Sequence, residues 1–332
     1  MQRLFLLLFS SVLLFCGGCK NDIDLLGKYE DKIVCYALLD PYDTAQYVRV
    51  SRLFLGEDNA LLMAQQADSI GFPIGTLDVR IERWLNGVQM QVFTLVPDTS
   101  IPRDDGIFLA PWQVLYRGTF PVLKDGSIYK LFVKDLVRGT EVHAETPIVN
   151  DVTLTDPFSN SSPLNLHDTT TIRFKFKTGV NGLRYHFKLR VHYTDQFILD
   201  TTQVSEQYFD WDLGETEALR ADGGELLTYA FTRHNFLNTL AANIPVKPYN
   251  NRISGKIDLI FTGAATDLVT YIVVQNSNAN TAADIPPFSN IEGGYGVFSC
   301  RTTNVFPNFR LDQDTRYAMH TDPVTAPLNF IR

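Results

Sequence analysis

Apolar and polar residues alternate in short runs along most of the chain, and clusters of turn residues separate these runs. Up to Ile148 the runs predict about seven strands, which is typical of sandwich folds. The clearest pair is Leu77–Leu85 and Val88–Val96, which flank Asn86-Gly87. Asn-Gly favours a tight hairpin because both residues tolerate positive φ. We therefore expect a mainly β protein in which residues 31–149 form an immunoglobulin-like β-sandwich domain.

A stretch rich in Pro, Asn, Ser and Asp between Pro147 and Leu164 indicates a domain boundary. Three runs with clean alternation follow it: 170–177, 183–195 and 207–213. Apolar residues at helical spacing predict a helix within 232–244. The segment 267–276 is compatible with a helix or a strand. We expect the second half, residues 150–332, to be a β-rich domain with one or two short helices.

The N-terminus has the pattern of a secretory signal peptide. Arg3 precedes the uncharged run Leu4–Phe15, which as a helix would rise about 18 Å and would not span a hydrocarbon core of ~30 Å. Two glycines then precede Cys19, a pattern that resembles the bacterial lipobox, although Cys16 stands where that motif prefers Leu, Val or Ile. This pattern predicts cleavage of residues 1–18 and acylation of Cys19. The alternative is an ordinary secreted protein that is cut at the same place.

Several fatty acyl chains on Cys19 would anchor the protein stably, because each buried methylene contributes ~0.8 kcal/mol. Residues 19–30 would then form a lipidated tether. Asp22 and Asp24 in this tether resemble the acidic signal that directs Bacteroidota lipoproteins to the outer face of the outer membrane. We expect a lipid-anchored outer-membrane protein that has the bilayer as a partner. The sequence does not determine whether the protein faces the cell surface or the periplasm.

The chain has 37 acidic residues and 29 Lys or Arg residues, a formal net charge of −8. This balance argues against a nucleic-acid partner, since such proteins usually present a strongly basic surface. Four cysteines are too few for a disulfide scaffold. After processing, Cys35 and Cys300 remain, and a disulfide between them is permitted outside the inner membrane. Both lie in strand-like runs, which favours two free thiols that pack as small hydrophobes.

A basic surface is the clearest candidate for ligand binding. By strand alternation, six basic side chains lie opposite the apolar side chains of their strands: Arg173, Lys175, Lys177, Arg184, Lys188 and Arg190. If residues 178–182 close a hairpin, all six lie on one sheet face and can attract an anionic glycan or an acidic partner. The alternative is a solvated face that Asp210 and Asp212 partly neutralise. Exposed strands commonly alternate in this way, which favours the alternative.

Catalytic and metal-binding motifs are not evident in the sequence. The six histidines lack HExxH or His/Cys zinc spacing, and there is no GxSxG nucleophile motif. We therefore predict no cofactor, no metal site and no enzymatic activity, and we interpret the chain as a binding subunit. Trp112 is a candidate platform for a sugar. The alternatives are a surface hydrolase acting on glycan or peptide and a structural or adhesion subunit.

Two segments resemble a family of Bacteroidota outer-membrane lipoproteins that is described only as a domain of unknown function. One is the closing motif Pro287–Phe298, PFSNIEGGYGVF, and the other is the strand Val48–Phe54, VRVSRLF. The resemblance implies a lipid-attachment cysteine, a sandwich-like first domain, a β-rich second part and a helix at 267–276. It also implies a role beside a TonB-dependent transporter, in nutrient capture or surface assembly, and no catalytic residues. The glycines of the closing motif themselves predict a structural turn followed by a strand.

Overall fold

A computed structural model describes residues 32–53, 60–106, 108–168, 170–280 and 287–331. The predicted signal peptide and tether, with Cys19, lie outside the described residues. The described chain is mainly β, which confirms the predicted fold class. An immunoglobulin-like sandwich is not confirmed, because the first seven strands all belong to one continuous sheet.

The described strands are β1 (Lys32–Leu39), β2 (Ala45–Leu53), β3 (Leu77–Leu85), β4 (Val88–Asp98), β5 (Leu115–Thr119), β6 (Ile128–Asp135), β7 (Glu141–Pro147), β8 (Thr153–Asp156), β9 (Thr171–Lys177), β10 (Gly182–Phe197), β11 (Val204–Glu217), β12 (Leu226–Thr232), β13 (Asn250–Ala265) and β14 (Tyr295–Phe309). The described helices are α1 (Ala60–Met63), α2 (Ala67–Ile70), α3 (Arg233–Asn243), α4 (Thr266–Asn280) and α5 (Gln313–Thr321). None of these described helices is both long and apolar enough to cross a membrane.

Eleven strands form one mixed sheet in the order β11-β10-β13-β14-β1-β2-β5-β4-β3-β6-β7, and β12-β9-β8 form a second sheet. β1 and β14 pair in parallel, with Cys35 opposite Gly296. This pair joins the strands of the first half of the chain to those of the second half. The large sheet therefore continues across the boundary predicted between residues 149 and 150, and the division into two domains stays a prediction.

Two hydrophobic cores lie against the large sheet. The first is built from β1 to β7, and it also takes in Ile291 and Phe298 from the C-terminal part of the chain. The second lies between the two sheets, where the rings of Phe174 on β9 and Phe187 on β10 are 5.4 Å apart. The hairpin considered through residues 178–182 is not formed. β9 pairs with β8 and β12, while β10 pairs with β11 and β13, so β9 and β10 face each other across a core.

Local sequence signals place several elements correctly. Asn86 and Gly87, with φ of 50° and 78°, form the predicted turn between β3 and β4. The predicted helix within 232–244 is α3, which begins after Thr232, whose hydroxyl accepts a hydrogen bond from the backbone N–H of Asn235. The ambiguous segment 267–276 is helical and lies within α4.

The closing motif forms a turn and the start of β14, as its glycines predict. Asn290 holds it in place, because its Nδ2 donates to Asp267 at the start of α4 and to the carbonyl of Phe298, over 2.8 and 2.7 Å. Gly296 has a φ of +114°, and a Cβ at this position would overlap the carbonyl oxygen of Cys35 on β1. The motif therefore allows the backbones of β14 and β1 to approach each other closely.

Arg252 fixes the C-terminal segment of the chain. Its side chain is completely buried, and its Nε donates to Asp195 while its Nη1 donates to the carbonyl of Leu328, both over 2.8 Å. Its backbone N–H and carbonyl also bond to the same terminal segment. Lys247 reaches the second oxygen of Asp195 over 2.5 Å. A buried cation is tolerated only when it is paired and hydrogen-bonded, so this arrangement specifies one position for the terminal segment.

Cys35 and Cys300 are free thiols, so the disulfide considered from the sequence is not formed. In the parallel register Cys35 lies opposite Gly296, and Cys300 lies opposite Leu39. The two cysteines are thus four positions apart along the strands, roughly 13 Å, while a disulfide needs Cα atoms within about 7 Å. Burial raises the pKa of each thiol to about 12. Both cysteines therefore act as apolar core residues, which the strand-like runs favour.

Candidate functional site

The six basic side chains predicted as one face lie on two surfaces. Three belong to β9 in the small sheet and three to β10 in the large sheet: Arg173, Lys175, Lys177 and Arg184, Lys188, Arg190, respectively. The apolar sides of β9 and β10 pack against each other. Their basic sides therefore point in opposite directions, and the structure does not bring the six residues together.

Acidic residues neutralise much of this charge. β11 runs beside β10, so that Asp210 accepts a hydrogen bond from Arg190 and Glu217 accepts one from Arg184, both over 2.7 Å. Lys175 on β9 also has a carboxylate 3.4 Å away. Exposed pairs of this kind contribute only ~0–1 kcal/mol to stability, but they leave little unbalanced charge for a ligand. This is the neutralised, solvated face that the strand alternation favours.

Three other arginines meet at a cleft on the outer face of β1 and β2, which we name the arginine cleft. Arg49 and Arg52 come from β2, and Arg103 comes from the loop after β4. The cleft has a volume of about 620 Å³. Its other lining residues include Val34, Tyr36, Ser51, Ile70, Phe108 and Tyr271.

Strand alternation and a tied loop place these arginines. Val48 of β2 points into the first core, which leaves Arg49 on the opposite face. Arg52 lies near the end of β2, where the alternation of buried and more exposed positions stops. The backbone N–H of Arg103 donates to the carbonyl of Pro111 over 2.8 Å, which ties two parts of the loop together. The arginines therefore occupy positions that the backbone defines.

Aromatic rings orient the guanidinium groups. The guanidinium carbon of Arg52 lies 4.4 Å from the ring centre of Phe72, and those of Arg103 and Arg49 lie 5.3 and 6.0 Å from the ring centre of Phe108. Cations are attracted to the faces of aromatic rings at such distances. The rings hold the cations without neutralising their charge.

The three guanidinium groups have no acidic partner in the part of the chain that the structure describes. Within the described residues no carboxylate forms an ion pair with them, and four of their nitrogen atoms are buried without a hydrogen-bond partner: the Nε of each arginine and the Nη1 of Arg103. Burial, followed by the neighbouring charge of Arg49, lowers the pKa of Arg103. A buried polar group without a partner costs about 1–3 kcal/mol, and more when it is charged. An anion in the cleft would supply acceptors for these four nitrogen atoms.

An apolar trough of about 380 Å³ continues from the arginine cleft. Tyr36, Arg49 and Tyr271 line both the cleft and the trough. The aliphatic residues of the trough are Ala37, Leu38, Leu115, Leu268, Ile272 and Val297. The rings of Tyr36 and Tyr271 meet edge to face with their centres 6.1 Å apart. Burial, together with a hydrogen bond to Tyr36, raises the pKa of Tyr271 to about 12, so this phenol stays neutral at physiological pH.

The described side chains of the cleft and trough supply positive charge, phenol hydroxyls and apolar surface. They include no His, Cys, Asp or Glu that would act as a general base beside Ser51. Trp112, the candidate sugar platform, lines a small adjoining pocket with Arg49 and Arg103. The buried hydroxyl of Tyr116 in that pocket also lacks a partner. These groups suit the binding of an anion that has an apolar part.

One group elsewhere has the chemistry of metal ligands. His167, Asp312 and Asp314 place their ligand atoms within 4.8 Å of one another, although they are far apart in the sequence. Asp312 caps α5, where its carboxylate accepts a hydrogen bond from the backbone N–H of Thr315 over 2.7 Å. This capping role explains the position of Asp312 without a metal, so we assign none to the group.

Sequence reasoning missed the arginine cleft, although Arg49 and Arg52 lie in the strand segment VRVSRLF that carries the family resemblance. No protein-family model matches this chain, and no curated protein is significantly similar to it. The resemblance to Bacteroidota lipoproteins therefore stays a prediction.

Proposed function

We propose that this chain is a cell-envelope lipoprotein that acts as a non-catalytic binding subunit and takes an anionic ligand in the arginine cleft. One observation carries the proposal: the buried guanidinium nitrogens of Arg49, Arg52 and Arg103 have no partners among the described residues. Guanidinium groups match carboxylate and phosphate oxygens through paired N–H donors. An anion in the cleft would supply the missing acceptors and balance the charge.

The envelope setting of this proposal comes from the sequence. Acylation of Cys19 would anchor the chain in the outer membrane, and the resemblance of two motifs supports a partnership with a TonB-dependent transporter. A subunit with an open anion site beside a transporter would hold a ligand close to its route of uptake. A hydrolase that used Ser51 as its nucleophile would need a general base beside it, and the described lining of the cleft offers none.

Replacement of Cys19 by serine is expected to release the protein from the envelope, because serine has no thiol to carry the lipid. The mature wild-type protein should show the mass of acyl chains and should fractionate with the outer membrane, whereas Cys19→Ser should show neither property. Cys16→Ser is the matched control, since it alters a neighbouring cysteine and should keep both properties. A Cys19→Ser protein that stays acylated and membrane-bound would contradict the proposed anchor.

Replacement of Arg103 by glutamine is expected to weaken the binding of inorganic phosphate at least about tenfold, since a hydrogen bond to a charged group contributes about 1.5–3 kcal/mol. Arg49→Gln should have a similar effect. The measurement is isothermal titration calorimetry on the mature protein. Lys188→Gln on β10 also removes one positive charge, and it should bind phosphate as the wild-type protein does.

The stability of the same variants separates binding from a structural role. Without phosphate, Arg103→Gln should be at least as stable as the wild-type protein, because it removes a half-buried charge that has no partner among the described residues. A clear loss of stability would mean that the arginine serves the fold. Unchanged phosphate affinity in Arg103→Gln would overturn the proposal, and a loss of affinity in Lys188→Gln alone would place the site on β10.

A further inference from the structure

We infer that the ligand of the arginine cleft is a single-chain anionic amphiphile, with its head group at the three arginines and its alkyl chain in the apolar trough. This inference rests on the proposed function, because it accepts the cleft as an anion site and identifies the remainder of the ligand. Carboxylate and phosphate head groups share the chemistry that arginine recognises.

The head-group site and the trough are continuous. Tyr36, Arg49 and Tyr271 line both, so a ligand that binds Arg49 has direct access to the trough. Arg52 and Arg103 line the cleft and not the trough, which concentrates the positive charge at one end. A site with one charged end and an uncharged body has the polarity of an amphiphile.

The chemistry of the trough suits an alkyl chain better than a sugar. Six of its ten lining residues are aliphatic, and Arg49 is the one charged residue among them. A sugar in such a site would lose water from several hydroxyl groups and find few polar partners, which opposes binding. Each methylene group of an alkyl chain would instead exchange water for apolar contacts.

The size of the trough suits a small molecule. Residues of β1, β2, β5 and β14 line it together with Leu268 and Ile272 of α4. Its volume of about 380 Å³ and the 620 Å³ of the cleft lie within the usual range for small-molecule sites, about 300–1,000 Å³. Leu38 at its edge is 37% exposed, and a bound alkyl chain would cover it.

The test is a chain-length series with the mature lipidated protein in nanodiscs of neutral phosphatidylcholine, after subtraction of empty nanodiscs. The probes are inorganic phosphate, butyl phosphate and octyl phosphate, with octanoate as a carboxylate head group and octyl glucoside as a neutral amphiphile. Affinity should rise about tenfold for every two methylene groups that enter the trough. Octanoate should bind, and octyl glucoside should bind far more weakly than octyl phosphate.

Two neighbouring residues of α4 provide matched variants. Ile272→Gln places a neutral polar side chain in the trough, so it should remove most of the gain with chain length and leave the affinity for inorganic phosphate unchanged. Val273→Gln makes a similar change at a side chain that is 45% exposed and outside the lining, so it should behave as the wild-type protein does. Arg103→Gln should weaken all the anions by about the same factor.

The outcomes separate this inference from the proposed function. If octyl phosphate binds no more tightly than inorganic phosphate while Arg103→Gln weakens the binding of both, the inference of an amphiphilic ligand is wrong. The proposed anion site is retained in that case. If a glucuronate-containing oligosaccharide binds more tightly than octyl phosphate, the ligand is an anionic glycan and the inference is overturned. If Arg103→Gln changes none of the affinities, the proposed function itself fails.

Discussion

Replacement of Gly296 by alanine is expected to lower the free energy of unfolding by at least about 3 kcal/mol. Gly296 has a φ of +114°, which strains any L side chain, and the added Cβ would overlap the carbonyl oxygen of Cys35. The obstacle is backbone and not a flexible side chain, so relief requires β1 and β14 to separate. Because that pair joins the two halves of the large sheet, unfolding should also become less cooperative.

Gly87→Ala is the control for this experiment. Gly87 also has a positive φ, +78°, but no atom lies within 4 Å of the position that a Cβ would take. It therefore reports backbone strain alone, about 1–2 kcal/mol. Denaturant unfolding followed by circular dichroism and tryptophan fluorescence measures both variants. Wild-type stability in Gly296→Ala would show that β1 and β14 are not held as described.

Replacement of Arg252 by methionine is expected to destabilise the chain by about 3–5 kcal/mol, since it leaves part of a buried ion pair without its partner. Methionine would keep much of the side-chain volume but would leave Asp195 dependent on Lys247 alone. The carbonyl of Leu328 would also lose its donor. The segment after α5 should then loosen, so limited proteolysis should remove it before the remainder of the chain is cut.

Arg220→Met is the matched control for this second prediction. Arg220 forms an exposed pair with Asp222 over 3.1 Å, and the loss of such a pair should cost less than about 1 kcal/mol. Urea unfolding gives the two free-energy changes. Equal effects in the two variants would mean that burial of Arg252 confers no special stability.

Elements that depend on neighbouring residues could be predicted from the sequence. The turn at Asn86-Gly87 follows from the tolerance of both residues for positive φ, and it fixes the hairpin of β3 and β4. The helix α3 follows from the spacing of Phe236, Leu237 and Leu240, which places all three on the buried side. In both cases the decisive interactions lie within a few residues along the chain.

The pairing of β9 and β10 could not be predicted from alternation. A hairpin in one sheet would bury Phe174 and Phe187 against a common core, and so does the observed arrangement, in which the two strands face each other from different sheets. Since both arrangements bury the same side chains, the pattern does not distinguish them. The position of the charged side chains, and hence the predicted basic face, depended on this choice.

The arginine cleft could not be predicted from the sequence, for a related reason. Alternation places Arg49 on the outer face of β2, where an arginine is ordinary. The unusual property is the lack of an acidic partner among the described residues, and this depends on which side chains the fold places nearby. Arg103 follows β3 and β4 in the sequence, and it reaches the cleft from the loop between β4 and β5. The presence of arginine residues is visible in the sequence, whereas the lack of an ion pair with any described carboxylate is a property of the tertiary structure.

The parallel pairing of β1 with β14 also determines when the large sheet can be completed during synthesis. β1 emerges from the ribosome early and β14 near the end, and contacts between distant parts of a chain form slowly because a long loop must first close. Until then, one edge of β1 presents unpaired N–H and C=O groups to other chains. Pairing with β14 therefore removes an exposed strand edge from the first half of the chain, and the same pairing that joins the two halves also protects the first half from aggregation.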